Sequence, residues 1–195
     1  MTAFVKDTKI QISVYFALLL TLVFALSPQG YAPVGLVCCL LHEAGHLICM
    51  KAVGCKIRGV AFGAYGMRID SDLPLSFKKE ALVALGGPLV NIILAVIGFV
   101  AGNRMFTAAN TAIAVFNLLP IESTDGHSAL KNLLCIRFET QKIKAALNIV
   151  SAAFLFLMYC FGFLLLFKSG YNFSALAVSI YLTVKFLFQG NQLYR

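Results

Sequence analysis

His42, Glu43 and His46 stand together in Leu40-Leu41-His42-Glu43-Ala44-Gly45-His46-Leu47-Ile48, three ionisable side chains inside a run that otherwise has the composition of a membrane-embedded helix. Ionisable groups in hydrocarbon are costly and mark sites. Residues i and i+4 share one face of a helix, so the imidazoles of His42 and His46 can grip a single metal ion. Glu43, next to the pair, is placed to take a proton from a metal-bound water without itself being a ligand, which is the chemistry of hydrolysis. The alternative is two buried histidines bonded to neighbouring helices, with Glu43 as their partner. It requires all three groups to be satisfied without a metal.

A catalytic zinc takes three protein ligands and keeps one exchangeable position. Outside the histidine pair the candidates are Asp125, His127 and Glu122, in Asn117-Leu118-Leu119-Pro120-Ile121-Glu122-Ser123-Thr124-Asp125-Gly126-His127. Asp125, beside the flexible Gly126, is a competent third ligand; its other reading is the N-cap of a helix that follows. His127 is the sole other histidine and an alternative ligand. Cys38, Cys39 and Cys49 lie within helical reach of the pair, but a hydrolytic site needs an open position, and the six cysteines form no Cys-x-x-Cys pair. They read as small buried hydrophobes. Zinc is preferred on ligand type, with iron or cobalt as alternatives.

The elements that must position these groups are membrane helices. Of 195 residues 60% are hydrophobic and 12% charged, and mean hydropathy is +0.86, which excludes an ordinary soluble domain. A net charge of +8 without an aromatic-interleaved basic patch argues against nucleic acid and reads as topology signals. Apolar spans are expected at 10–26, 33–54, 81–102, 105–119, 145–167 and 173–188. The first also resembles a signal peptide, but further spans follow it, so an uncleaved helix is preferred. Between the second and third, Gly-rich and β-forming residues at 57–69 suggest a short hairpin turning at Gly63-Ala64. Gly86-Gly87-Pro88, followed by Asn91, is a backbone break where another helix can pack closely. The expected fold is therefore an all-α polytopic membrane protein, a single domain over residues 1–195, with about six transmembrane helices and a short β-hairpin after the second. With the N terminus in the cytosol, every basic residue except Arg104, Lys168 and the membrane-embedded Lys185 falls inside. Both termini and the site are then cytosolic.

Three segments, His42-Glu43-Ala44-Gly45-His46, Gly87-Pro88-Leu89-Val90-Asn91 and Asn117-Leu118-Leu119-Pro120 leading to Asp125-Gly126, occur in the order found in the site-2 proteases, which are intramembrane zinc metalloproteases. The chain resembles that family from its second span to its fourth. The resemblance implies one zinc held by His42, His46 and Asp125, Glu43 as catalytic acid/base, and a helical core with a hairpin after the metal-binding helix. Family members commonly carry a proline before Leu-Asp-Gly with a second glycine, whereas this loop reads Glu122-Ser123-Thr124-Asp125-Gly126-His127. The chain has room for neither a PDZ nor a CBS domain, so it looks like a bare catalytic core, similar in architecture to the sporulation-type branch that processes a sigma-factor precursor.

The function expected is hydrolysis of peptide bonds in membrane-anchored protein substrates. Asn91 and Asn117 are expected to donate hydrogen bonds to the oxyanion or the substrate backbone, or else to join helices. An edge strand of the hairpin can hold substrate in extended form. Partners are the lipid bilayer, the substrate and either a second copy or a regulatory membrane protein. The competing class is a catalytically inactive, site-2-protease-like binding or scaffold protein; a zinc transporter would need ligands across the bilayer, and only one cluster is visible.

Overall fold

A computed structural model describes residues 2–5, 8–14, 18, 21, 24, 27, 31–63, 66–71, 75–171 and 173–191. The chain divides into two compact units, Met1–Asn117 and Leu118–Arg195.

The first unit opens with two strands that the sequence reading did not expect. β1 (Thr2–Val5) and β2 (Thr8–Ile12) pair antiparallel, and β2 then pairs in parallel with β3 (Ile57–Gly63), Lys9 opposite Gly59 and Ile12 opposite Phe62. β3 pairs antiparallel with β4 (Gly66–Ser71), Val60 opposite Ile69, giving a four-stranded sheet in the order β1-β2-β3-β4. The chain is mainly helical, as expected, and carries this sheet where only a two-stranded hairpin was expected. The apolar segment that begins at residue 10 is still strand as far as Ile12, where Lys9 and Gln11 alternate with Ile10 and Ile12. Beyond it Val14, Leu18, Thr21 and Phe24 are helical, and residues 15–17, 19–20, 22–23 and 25–26 of the span lie outside the described residues, as does Ala64 of the expected turn.

Three further helices of this unit are described throughout their length. α1 (Tyr31–Ala52) takes Pro33 in its first turn, where the missing N–H has no intrahelical role. It ends at Gly54, whose positive φ of 79° lets Cys55 N–H reach back to Met50 O. Lys79 Nζ donates to Val53 O at the same end. α2 (Phe77–Val100) runs through Pro88 without stopping. α3 (Arg104–Leu118) starts behind Asn103, whose Oδ1 accepts from Phe106 N–H.

In the second unit α4 (Asp125–Cys135) is short, while α5 (Thr140–Ser169) and α6 (Ser174–Asn191) pack against each other. A Cβ on Gly162 would stand 2.8 Å from Leu176, and Tyr159 Oη lies 3.1 Å from Thr183 Oγ1.

Among the described residues α1, α2 and α5 are long and apolar enough to cross a membrane; 22 to 30 residues at about 1.5 Å each exceed a hydrocarbon core of about 30 Å. These coincide with the second, third and fifth expected spans. The fourth and sixth fall on α3, of 15 residues, and on α6, whose apolar part is Ser174–Leu187. Polarity is distributed as lipid requires. Asn91, Asn110, Ser151 and Ser179 are fully buried, whereas Phe99, Val100, Phe156 and Phe167 face outward. The chain is a membrane protein.

Candidate metal centre

Two glycines bring α1 and α2 together. A Cβ on Gly45 would lie 2.5 Å from Gly86 O, and one on Gly86 would lie 2.7 Å from Cys49 Sγ and 2.8 Å from Gly45 O. Only bare backbone on both helices allows this approach. One turn from the crossing, the buried rings of His42 and His46 project from α1 toward α2. There they meet Gly87, where a Cβ would overlap Nε2 of both rings.

The partners of the two rings determine which nitrogen carries hydrogen. His46 Nδ1 lies 2.7 Å from Val83 O. A backbone carbonyl only accepts, so Nδ1 holds a hydrogen, and in the neutral ring Nε2 holds the lone pair. His42 Nδ1 lies 2.5 Å from Asn91 Oδ1, while Asn91 Nδ2 donates to Cys38 O at 3.3 Å and to Asn110 Oδ1 at 2.8 Å. With both amide hydrogens engaged, Asn91 offers His42 an acceptor, and the His42 lone pair is likewise on Nε2. The two Nε2 atoms stand 3.2 Å apart. In the neutral rings the two lone pairs converge, an arrangement that a shared cation would make favourable. Ligands at about 2.05 Å and a tetrahedral angle would be about 3.3 Å apart, so the donor set and its spacing fit a zinc-type ion.

The remaining candidates are placed as follows. Glu43 is half-buried on α1 beside His42. Of the cysteines near the pair, Cys38 Sγ accepts from Asn110 Nδ2 at 3.2 Å, Cys49 packs at Gly86, and Cys39 is exposed. Asn117 Nδ2 donates to Ile113 O at 3.0 Å, one turn back on α3.

In the second unit, Asp125 is the first residue of α4 and half-buried. The cap that Asp125 might have supplied is Thr124, whose Oγ1 accepts from His127 N–H and lies 2.8 Å from Ile121 O. Behind Asp125, a Cβ on Gly126 would overlap the Leu118 backbone, which explains a glycine after the carboxylate. The loop before α4 is pinned by Ser151 of α5, which accepts from Glu122 N–H at 2.9 Å and lies 3.2 Å from Pro120 O. His127 is buried in this packing, its Nδ1 3.4 Å from Ser151 Oγ. Burial and the Lys131 charge hold its imidazolium form down, against the Pro120 carbonyl. Glu122 lines a cavity of about 260 Å³ with Ser123, His127, Lys131 and Lys144. Burial pushes its carboxyl up, while the two lysines pull it back.

Val83 O and Asn110 are the contributors the sequence reading overlooked, and of the two only the Asn110 side chain could be read from the sequence; Gly87 was read there as a place where another helix packs closely, not as the wall of the histidine pair.

No family model and no curated protein matches the chain. Among solved structures, a site-2 protease from Methanocaldococcus jannaschii superposes with a TM-score of 0.68 at 22% identity, over 93% of this chain and 91% of that one. The chain shares the fold of that site-2 protease.

Proposed function

We propose that the chain is an intramembrane metalloprotease that hydrolyses peptide bonds of membrane-anchored proteins. The observation that carries the reading is the histidine pair, two Nε2 atoms 3.2 Å apart against a bare Gly87, with Glu43 adjacent in sequence. His42, His46 and Asp125 would hold one zinc ion, which when bound would supply Lewis acidity to a scissile carbonyl and to water.

Glu43 accepts the proton of the attacking water and delivers it to the leaving amine, a role worth about 10² to 10⁴-fold. Asn91 is a positioning residue, its amide hydrogens being used on Cys38 O and Asn110. Asn117 spends one amide hydrogen on Ile113 O and offers the other to the substrate backbone. A helical substrate has its carbonyls already bonded. β4, at the edge of the sheet, can hold it extended by strand addition. The basic residues support cytosolic termini and a cytosolic site.

The test uses the purified chain in liposomes with a membrane-anchored reporter. Wild type should cleave, Glu43→Gln should not while retaining one zinc, and Asp125→Ala should lose both. Equal cleavage by wild type and Glu43→Gln, or zinc retained by Asp125→Ala, would overturn the reading.

A further inference from the structure

We propose that Asn110, which touches neither metal nor substrate, sets the tautomer of His42 through Asn91, and so determines which imidazole nitrogen is presented to the metal. The inference rests on the metal-centre reading for its purpose, and on geometry alone for its mechanism.

A side-chain amide has a donating end and an accepting end, and buried neighbours decide which way it faces. Asn110 Nδ2 lies 2.9 Å from Phe106 O and 3.2 Å from Cys38 Sγ. The Phe106 carbonyl is helix backbone and can only accept, so the nitrogen must be on that side. Asn110 Oδ1 then faces Asn91 Nδ2 at 2.8 Å, and the second Asn91 hydrogen goes to Cys38 O. That carbonyl again can only accept. Asn91 is left with its oxygen toward His42 Nδ1, which must therefore carry the hydrogen.

Orientation thus passes from a backbone carbonyl on α3, through one amide on α3 and one on α2, to an imidazole on α1. Reversing any member sets two donors or two acceptors face to face. Asn91 and Asn110 are both 0% exposed and His42 is 6% exposed, so no water is at hand to repair a reversal. His46 needs no such relay, because Val83 O sets its tautomer directly. The arrangement makes Asn110 a positioning residue for a ligand it does not touch.

Histidine-¹⁵N spectra of the full chain in detergent, with metal removed by chelation, test the relay. The chain has three histidines, so three tautomers are read. Wild-type His42 should be the Nδ1–H form. In Asn110→Leu, Asn91 loses its 2.8 Å acceptor and keeps only the longer, 3.3 Å bond to Cys38 O, so its orientation is held less firmly and His42 should shift toward a mixture with the Nε2–H form, with His46 unchanged and zinc affinity down about 10- to 100-fold. Asn110→Asp in its protonated form can donate to Phe106 O and accept from Asn91, so it should restore the Nδ1–H form, which a purely packing role would not do. Asn110→Ala serves the same purpose as the leucine variant if that one does not fold. A His42 that stays Nδ1–H in both Asn110→Leu and Asn110→Ala overturns the relay whatever zinc does. A wild type that binds no zinc, but whose His42 tautomer still follows residue 110, supports the relay and overturns the metal-centre reading instead.

Discussion

Gly87 leaves just enough room for the two imidazoles: a Cβ there would overlap His46 Nε2 and lie 2.6 Å from His42 Nε2. Gly87→Ala should rotate the rings apart and lower zinc affinity at least tenfold, as titration calorimetry would show, with helical content unchanged. Glu122 makes a prediction of the opposite kind. Burial holds its carboxyl above the usual range, so its native state favours the protonated form. That contribution is fully present below the unfolded value of about 4.3 and is lost as pH rises through the folded one. Glu122→Gln should therefore unfold at a slightly higher temperature than wild type near pH 7, and the difference should vanish near pH 4 in paired thermal melts. The reactive types at 42, 43, 46 and 125 were legible because chemistry and spacing are written in the chain. The hydrogen-bond partners of each ring were not, since Val83 O and Gly87 offer no side chain to read.

Packing of α1 on α2 converts that chemistry into a site. The helices touch through Gly45 and Gly86, and Val83 O and Asn91, which orient the two rings, both ride on α2. Gly45→Ala, with its new methyl 2.5 Å from Gly86 O, should cost about 1 to 3 kcal/mol and loosen zinc binding with it. Gly35→Ala on the same helix has nothing within 4 Å and should be neutral or stabilising by up to about 1 kcal/mol. Denaturant titration of the pair separates crossing distance from glycine content. Gly86-Gly87-Pro88 announced a close approach in the sequence, but its partner did not. Gly45 sits inside the histidine motif, where its neighbours drew the attention. The N-terminal strands were missed for a related reason. β2 pairs with β3 far along the chain, and five residues merging into an apolar span carry too weak a local period.

At the scale of the molecule, the proposed metal is a ligand of the folded chain. Metal bound only by the folded chain stabilises it by about 2.7 kcal/mol at a hundredfold excess over Kd, or about 5–10 °C in Tm for a chain of this size. Zinc should produce that rise in wild type, chelation should remove it, and Asp125→Ala should abolish the response while leaving the metal-free Tm unchanged, as read by scanning fluorimetry.

By itself the sequence determined that this is a membrane protein carrying a His-Glu-x-x-His helix, because hydropathy and an i, i+4 spacing are local properties and need no knowledge of what lies opposite. Only the tertiary structure decided that Thr124 rather than Asp125 caps α4, that the N terminus begins in a sheet, and that Asn91 turns its oxygen to His42 because Asn110 is anchored to Phe106 O. Hydrogen bonds between elements have direction, and that direction is set by partners that only folding brings within reach.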